Sequence, residues 1–444
     1  MYSLWFLFFI LSGFLLPQRV FSINYNSNND TERFLNERQI LNELQAEIFG
    51  ISLPPTNDEN PYLFEGDVLL TEQQLDIIID DVRAQLWAIK HPEDTMEKPK
   101  NRILTSDLST RWTLPIPYYI DSGVNESIIL PAIRHWEQET CIRFSRKNSK
   151  PSGNYLNFFQ GSGCWSFIGM IGGEQNVSIG VGCHEFGFVA HEIAHALGAY
   201  HEHSRYNRDS YITLMPSNMV SGSSFQFIKL PSSNMTDYGV GYDYGSVMHY
   251  GSHDYSFNGL PTIITAEPMY ENIIGQRVAP SFADVKKMNS AYCNAVCTKT
   301  LACSNGGYLD PNNCNTCKCP PGFSGKLCRA HPVSGPCGNQ DLTASSTFAS
   351  FNVSGRKTCY FLITAPLNQK VQIQHYTSVF HPIDVDTCKF DYIEIKYKTD
   401  FTKYGPRFCK GSVLPVTTSE TNKMMIVYQG YDSNSFVRLR YRSI

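Results

Sequence analysis

The chain has 444 residues, room for roughly two to four domains, and 42% of them are apolar, enough to fill ordinary cores and to exclude a disordered protein. A net charge of -4 with no basic stripe behind it excludes nucleic acid as a partner. Fourteen cysteines, an even number and all at or after Cys141, fit disulfides made in an oxidising compartment.

At the N-terminus, residues 4 to 16 form an apolar run too short to span a bilayer, and Val20-Phe-Ser22 offers small residues for cleavage. Residues 1–22 therefore read as a signal peptide. No later stretch approaches a membrane span, so the mature protein is expected to be secreted, soluble and extracellular. Five Asn-x-Ser/Thr sequons, at Asn29, Asn125, Asn176, Asn234 and Asn352, agree with that route and are the candidate glycosylation sites.

Residues 23–102 lack cysteine and carry two amphipathic helical patterns. The first runs through Phe34, Leu35, Ile40, Leu41, Leu44 and Ile48 and stops at Gly50. The second opens with Thr71 and Gln74 at capping-box spacing and continues through Leu75, Ile78, Ile79, Val82 and Leu86. Between them, Phe64-Glu-Gly-Asp67 reads on its residues alone as a Gly-Asp turn. Lys98-Pro-Lys-Asn-Arg102 is basic and proline-containing, which suits an exposed processing loop.

Further on, Ile133, Trp136, Cys141, Ile142 and Phe144 predict a helix leading into a strand, and Cys164 and Cys183 bracket a segment rich in glycine and apolar residues. Then comes His191-Glu-Ile-Ala-His195-Ala-Leu-Gly-Ala-Tyr-His201. His191 and His195 are one helical turn apart on the same face and can grip one metal ion. Glu192 is placed to reach a water on that metal, as a general base. Gly198 ends the helix in the left-handed conformation and lets His201 return to the same metal. Three imidazoles leave a coordination position open, which marks a catalytic rather than a structural zinc site.

This motif, followed by Glu202 and then Ser246-Val-Met-His-Tyr250, resembles the astacin family of zinc endopeptidases, within the metzincins. Thr110-Arg-Trp-Thr-Leu-Pro-Ile-Pro-Tyr118, Gly163-Cys-Trp-Ser166 and Ile274-Gly-Gln-Arg277 carry the same likeness. The resemblance implies zinc held by His191, His195 and His201, with Glu192 as base and Met248 as the apolar floor. It also implies a Tyr250 that stabilises the oxyanion, and Arg277 is a candidate partner for an acidic substrate residue. In relatives, Phe64-Glu-Gly-Asp67 corresponds to a propeptide motif whose aspartate, here Asp67, sits on the zinc. Their mature N-terminus maps to Ile103, so a trypsin-like activator would cut after Arg102, and the new end would fold toward Glu202. The same likeness pairs Cys141 with Cys293 and Cys164 with Cys183.

Six cysteines between 297 and 328, with Pro320-Pro-Gly-Phe-Ser-Gly325, resemble an EGF module and imply the pairs Cys297–Cys314, Cys303–Cys317 and Cys319–Cys328. A metal site at Cys314 and Cys317 is the competing reading. From Cys337 the strands Lys370–Gln374, Tyr392–Ile395, Met424–Tyr428 and Phe436–Tyr441 resemble a CUB β-sandwich with Cys337–Cys359 and Cys388–Cys409 paired. Of the calcium ligands such domains use, Asp391 remains and the early glutamate has no counterpart, so zinc is the one cofactor expected and calcium is doubtful.

The fold expected is multidomain. A signal peptide (1–22) and a partly helical propeptide (23–102) precede an α+β metzincin protease domain (103–293). A small disulfide-rich EGF-like module (294–329) and an all-β CUB sandwich (337–444) follow. The expected function is hydrolysis of extracellular proteins, matrix proteins and precursors among them, by a zymogen with an aspartate switch. The alternative is an extracellular binding or matrix protein with an inactive protease scaffold, which would have no reason to keep Glu192.

Overall fold

The structure, a computed structural model, describes residues 28–51, 63–92, 110–231, 236–332, 336–381 and 387–444. The expected signal peptide, Arg102, Ile103, Asn234 and the side chain of Asn29 lie outside the described residues. Among the described helices, none is long and apolar enough to cross a membrane.

Helix α1 (Asn28–Phe49) turns Ile40, Leu41, Leu44 and Ile48 of its expected apolar face toward one core. Leu35 is 37% exposed, while Leu41, Asn42, Gln45 and Ala46 are buried. Polar contacts add to this packing: Asn42 Oδ1 accepts a bond from Ser224 Oγ at 2.6 Å, and the Arg38 guanidinium lies 4.4 Å from the Phe225 ring centre. Helix α2 (Glu72–Lys90) starts on the capping box formed by Thr71 and Gln74, and its buried stripe is Leu75, Ile78, Ile79, Val82 and Leu86. That stripe joins Phe64 and Val68 in one core with Ile168, Tyr200, Phe225, Ile228 and Leu230. The N-terminal helices are therefore packed onto the enzyme region.

The enzyme region is built on a six-stranded sheet. Its order is Val68–Leu69, Cys164–Phe167, Glu174–Ile179, Tyr155–Phe159, Ile116–Ile120 and Phe144–Arg146. All neighbours are parallel except Cys164–Phe167 against Glu174–Ile179. Helix α3 (Glu126–Glu139) and helix α4 (Phe186–Ala196) pack together, and the fully buried Trp136 of α3 donates its indole N–H to Ala190 O of α4. Asn125 caps α3 and is exposed, whereas Asn176 lies within the sheet and accepts a bond from Asn157. Helix α5 (Phe282–Tyr292) is tied to the end of α3 by the Cys141–Cys293 bridge.

All fourteen cysteines are paired: Cys141–Cys293, Cys164–Cys183, Cys297–Cys314, Cys303–Cys317, Cys319–Cys328, Cys337–Cys359 and Cys388–Cys409. Cys314 and Cys317 are thus both taken by bridges, leaving no thiolate for a metal. The segment 297–328 leans on the enzyme region through Lys318–Glu139 at 2.7 Å and through the Asn289 bond to the Tyr308 hydroxyl at 2.8 Å.

Residues 341–443 form two facing sheets of five and four strands. The observed strands Val371–Val379, Tyr392–Lys396, Lys423–Gly430 and Phe436–Ser443 extend the four expected ones, and Lys357–Thr364, which pairs along its whole length with Lys423–Gly430, is additional. This sandwich is not a loose appendage, as a module lying outside the zinc motif would suggest. Its core is continuous with Tyr242, Tyr244, Tyr270, Ile273 and Ile274 of the enzyme region. The Tyr397 hydroxyl donates to Glu267, and Lys398 pairs with Glu267 at 2.9 Å. Gly245, immediately before Ser246, lies so close to Tyr404 that a Cβ there would enter the ring.

Gly245→Ala should therefore destabilise the protein by about 1–3 kcal/mol through overpacking. Adding Tyr404→Ala should recover part of that loss in a double-mutant cycle followed by thermal denaturation. Strict additivity of the two changes would mean that the sandwich does not rest on this loop.

Candidate active site and metal centre

Helix α4 is apolar nearly all round, so it is buried and carries His191 and His195 into the core at 1% and 0% exposure. Leu197 closes it, and Gly198 at φ +103°, in the left-handed region, turns the chain so that His201 comes back beside the other two. His191 Nε2 lies 2.9 Å from His195 Nε2 and 3.3 Å from His201 Nε2. Every Nδ1 faces an acceptor: Val247 O at 2.8 Å for His191, Ala199 O at 2.8 Å for His195, and the Glu65 carboxylate at 2.7 Å for His201. These acceptors assign the ring proton to Nδ1 in all three. Three Nε2 lone pairs are then aimed at one another, an arrangement that a cation satisfies and hydrogen bonds do not.

Asp67 completes the cluster. Its Oδ2 is 3.0 Å from His191 Nε2, and its Oδ1 is 3.6 Å from His195 Nε2 and 3.2 Å from His201 Nε2. The four potential ligand atoms lie within 4.8 Å of one another. Asp67 Oδ1 is buried without a hydrogen-bond donor, and so is Glu192 Oε2 in the next helical position after His191. A donor set of three imidazoles and a carboxylate, with orphaned acceptor oxygens around it, fits zinc. Burial, reinforced by the Asp67 charge, pushes Glu192 well above the usual carboxylate range, with Arg277 opposing.

Asp67 is aimed by a turn, the reading that Phe64-Glu-Gly-Asp67 gives on its residues alone. Glu65 and Gly66 both have positive φ, and Phe64 and Val68 exchange backbone bonds across the turn. Val68–Leu69 then adds a parallel strand to the edge at Cys164–Phe167.

Residues 104–293 match the family model of Astacin, a peptidase family, and residues 337–437 match that of the CUB domain. The chain is 47% identical over 435 residues to zinc metalloproteinase nas-34 of Caenorhabditis elegans, covering 93% of this chain and 71% of that protein. The chain belongs to the astacin family. It is also 38% identical to zinc metalloproteinase nas-30 of C. elegans, covering 82% of this chain and 48% of that one. To Blastula protease 10 of Paracentrotus lividus it is 37% identical, covering 82% and 62%. The chain thus spans about half to two thirds of the length of these last two relatives. Among solved structures, high choriolytic enzyme 1 of Oryzias latipes aligns at 31% identity with a TM-score of 0.39, covering 45% of this chain and 98% of that one. The protein is an astacin-type zinc metalloendopeptidase with a CUB domain, and zinc is its metal.

In this astacin Met248 is 3% exposed and packs in the core that holds α4. The buried Tyr250 hydroxyl donates to Glu65 O, and its ring stacks on His203 with centroids 3.7 Å apart. Arg277 donates to His249 O at 2.9 Å and lies 5.9 Å from the Phe188 ring centre, so it is held against the loop of Tyr250. Asp391 of the CUB domain is buried and accepts bonds from His381 N at 2.6 Å, Ser435 Oγ at 2.6 Å and Tyr431 N at 3.3 Å.

Glu202 is no solvated acid: it is 3% exposed. Burial alone would raise its pKa, but Lys287 at 2.6 Å, Arg205 at 3.5 Å and the Asp243 N–H hold it below its ordinary value. It lines a cavity together with Thr110, Arg111, Asp237 and Lys287. Two partners of the site escape sequence reasoning. Glu65, at 0% exposure, bonds both His201 and Ser204, and Lys287 pairs with Glu202. The second position of Phe64-Glu-Gly-Asp67 is the only signal that pointed near either.

Chelation should lower the melting temperature of the wild type, since an ion bound only by the folded state stabilises it. His195→Ala, with one imidazole missing, should show little further drop on chelation in calorimetry. Equal shifts in both proteins would place the stabilising ion elsewhere.

Proposed function

We propose that the chain is the zymogen of a secreted endopeptidase that cleaves extracellular proteins, matrix proteins and precursors among them, and that Asp67 is its switch. What carries this reading is the Asp67 carboxylate, seated among His191, His195 and His201 by a segment outside the 104–293 match. Residues 1–22 are the leader and 23–102 the propeptide. Residues 103–293 are the protease, 294–329 an EGF-like module and 337–444 the CUB domain. Seven disulfides support an oxidising, extracellular setting. Asn29, Asn125, Asn176, Asn234 and Asn352 are the glycan acceptors in this reading.

His191, His195 and His201 hold the zinc, which when bound polarises the scissile carbonyl and acidifies a water. Glu192 accepts a proton from the attacking water and returns it to the leaving amine nitrogen. Its place beside His191, with Oε2 buried and without a donor, suits this role. Tyr250 donates its hydroxyl to the carbonyl oxygen as charge grows there, and to do so it must first give up Glu65 O. Substrate extends the sheet edge at Cys164–Phe167 that Val68–Leu69 occupies here. Arg277 remains the candidate for an acidic substrate residue. The alternative of an inactive scaffold is set aside by family membership together with the retained Glu192.

Activation follows a trypsin-like cut between Arg102 and Ile103. Thr110, seven residues after Ile103, lines the same cavity as Glu202, which supports entry of the new N-terminus there.

After activation, Glu192→Gln should keep its zinc and lose about two to four orders of magnitude in turnover of a quenched peptide; a loss of only a few-fold would remove Glu192 as base. Asp67→Ala should give an unstable or prematurely active precursor, read by thermal denaturation and by peptide hydrolysis before any cleavage, and a silent precursor as stable as wild type would remove the switch. Edman sequencing of the active enzyme should begin at Ile103, with Glu202→Gln lowering both turnover and melting temperature after matched cleavage. A different start, or a fully active mutant, would break the proposed link.

A further inference from the structure

Along the last strand, Phe436–Ser443, alternation buries Val437, Leu439 and Tyr441 and turns Arg438, Arg440 and Arg442 outward. The flanking strands Ala349–Ser354 and Val371–Val379 set Asn352, Gln374 and Gln372 beside these arginines. None of the three strands contains Asp or Glu. Successive guanidinium-bearing positions are thus about 7 Å apart in a straight row with no acid among them. The exposed Lys370, whose backbone pairs with Ile444, continues the row. Three other cations of this domain, by contrast, are paired with acids: Arg407 with Glu394, Lys398 with Glu267 and Lys389 with Glu185.

The row is also held in place. Arg440 donates to Gln374 Oε1 at 2.9 and 2.6 Å, and Arg442 to Gln372 Oε1 at 3.0 Å. The Phe348 ring centre lies 4.1 Å from the Arg440 guanidinium and 4.6 Å from that of Arg442, and Tyr376 flanks Arg440 at 5.1 Å. Guanidinia fixed by stacking and by amide bonds lose little freedom when an anion arrives, and each keeps N–H groups for it. The forked donor matches a tetrahedral oxyanion. Uncharged Ser350, Asn352, Gln372 and Gln374 fill the space between the cations with hydroxyl and amide groups that suit sugar hydroxyls. The exposed rings of Phe348 and Tyr376 are engaged by arginine rather than free to enter a bilayer.

We propose that this face of the CUB domain binds a sulfated polysaccharide chain, an interaction that leaves the catalytic site untouched and would hold the enzyme on a sulfated matrix. From the reading above it takes secretion alone. Asn352, exposed and directly opposite Arg438, lies on the same face, so a glycan at this sequon would cover one end of the row.

The test uses the full-length protein on immobilised heparin. Wild type should be retained and elute with salt, and R438Q/R440Q/R442Q should bind about tenfold or more weakly, with a shallower salt dependence. Hydrolysis of a short peptide after activation should be equal in both. R438Q alone, at an exposed position, should show a smaller loss and covers the case in which the triple variant misfolds. Asn352→Gln made in a glycosylating host should bind at least as tightly as wild type. Equal elution of wild type and of both arginine variants would overturn the proposal. So would equal retention on desulfated heparin, or binding to polyglutamate or phosphatidylserine vesicles as tight as to heparin.

Discussion

Three imidazole Nε2 atoms crowded together, that of His191 within 3.3 Å of both others, with each Nδ1 already committed, are the constraint on which the rest of the enzyme region depends. Buried polar atoms left without partners cost about 1–3 kcal/mol each, so the cluster is tolerable only because a cation belongs at its centre. Each Nδ1 acceptor also comes from a different part of the chain. Val247 O brings in the loop that carries Met248, Ala199 O fixes the turn after Gly198, and Glu65 brings in the N-terminal segment. The centre is therefore a junction of three backbone segments, two of them within the 104–293 match and the third the segment that leaves in the proposed activation.

The N-terminal segment inserts unusually deeply for something proposed to be removed. Glu65 is fully buried, bonds His201 and Ser204, and offers its carbonyl to Tyr250. Gly66 passes so close to the Tyr255 hydroxyl that no Cβ fits unless that side chain moves. Asp67 thus acts together with its neighbour. In the proposed activation, His201 Nδ1, Ser204 and the Tyr250 hydroxyl all lose a partner at once, and water or substrate must replace them. That simultaneous loss ties release of the segment to freeing of the tyrosine.

The zinc site was legible in the sequence because its chemistry is local: two histidines a turn apart, a glycine that permits the return, and a third histidine. The caps of α2 and the main strands of the CUB domain were legible for the same reason. What could not be read were pairings across long separations. Glu202 with Lys287, Glu65 with Ser204 and Tyr404 with Gly245 join residues from 85 to 159 positions apart, and no spacing rule connects them. On α1 the expected stripe packs from Ile40 to Ile48 while Leu35 stays exposed, and the buried bond of Asn42 to Ser224 and the Arg38–Phe225 contact are partners that hydrophobic periodicity does not register. The arginine row was missed for a subtler reason. Composition gives -4 overall, and only the period of two along one strand gathers Arg438, Arg440 and Arg442 onto one face.

The Glu202 carboxylate shows how the proposed activation can proceed without a new buried charge going unpaired. In this state it accepts the Asp243 N–H and is flanked by Lys287 and Arg205, while its own N–H donates to Met248 O at 2.8 Å. An arriving α-amino group would be a third cation around one carboxylate, so one of the two already present must yield. Arg205 is 2% exposed and also bonded to Asp237 and Val240 O, so moving it would strand a buried guanidinium. Lys287 has a side chain 19% exposed on a flexible stem at the cavity wall, and it can swing to water at little cost. In the proposed activation Lys287 would therefore be the counter-ion that gives way. Because Glu202 directly follows His201 and bonds the loop of Met248, that exchange would happen against the floor of the metal centre rather than at a distance from it.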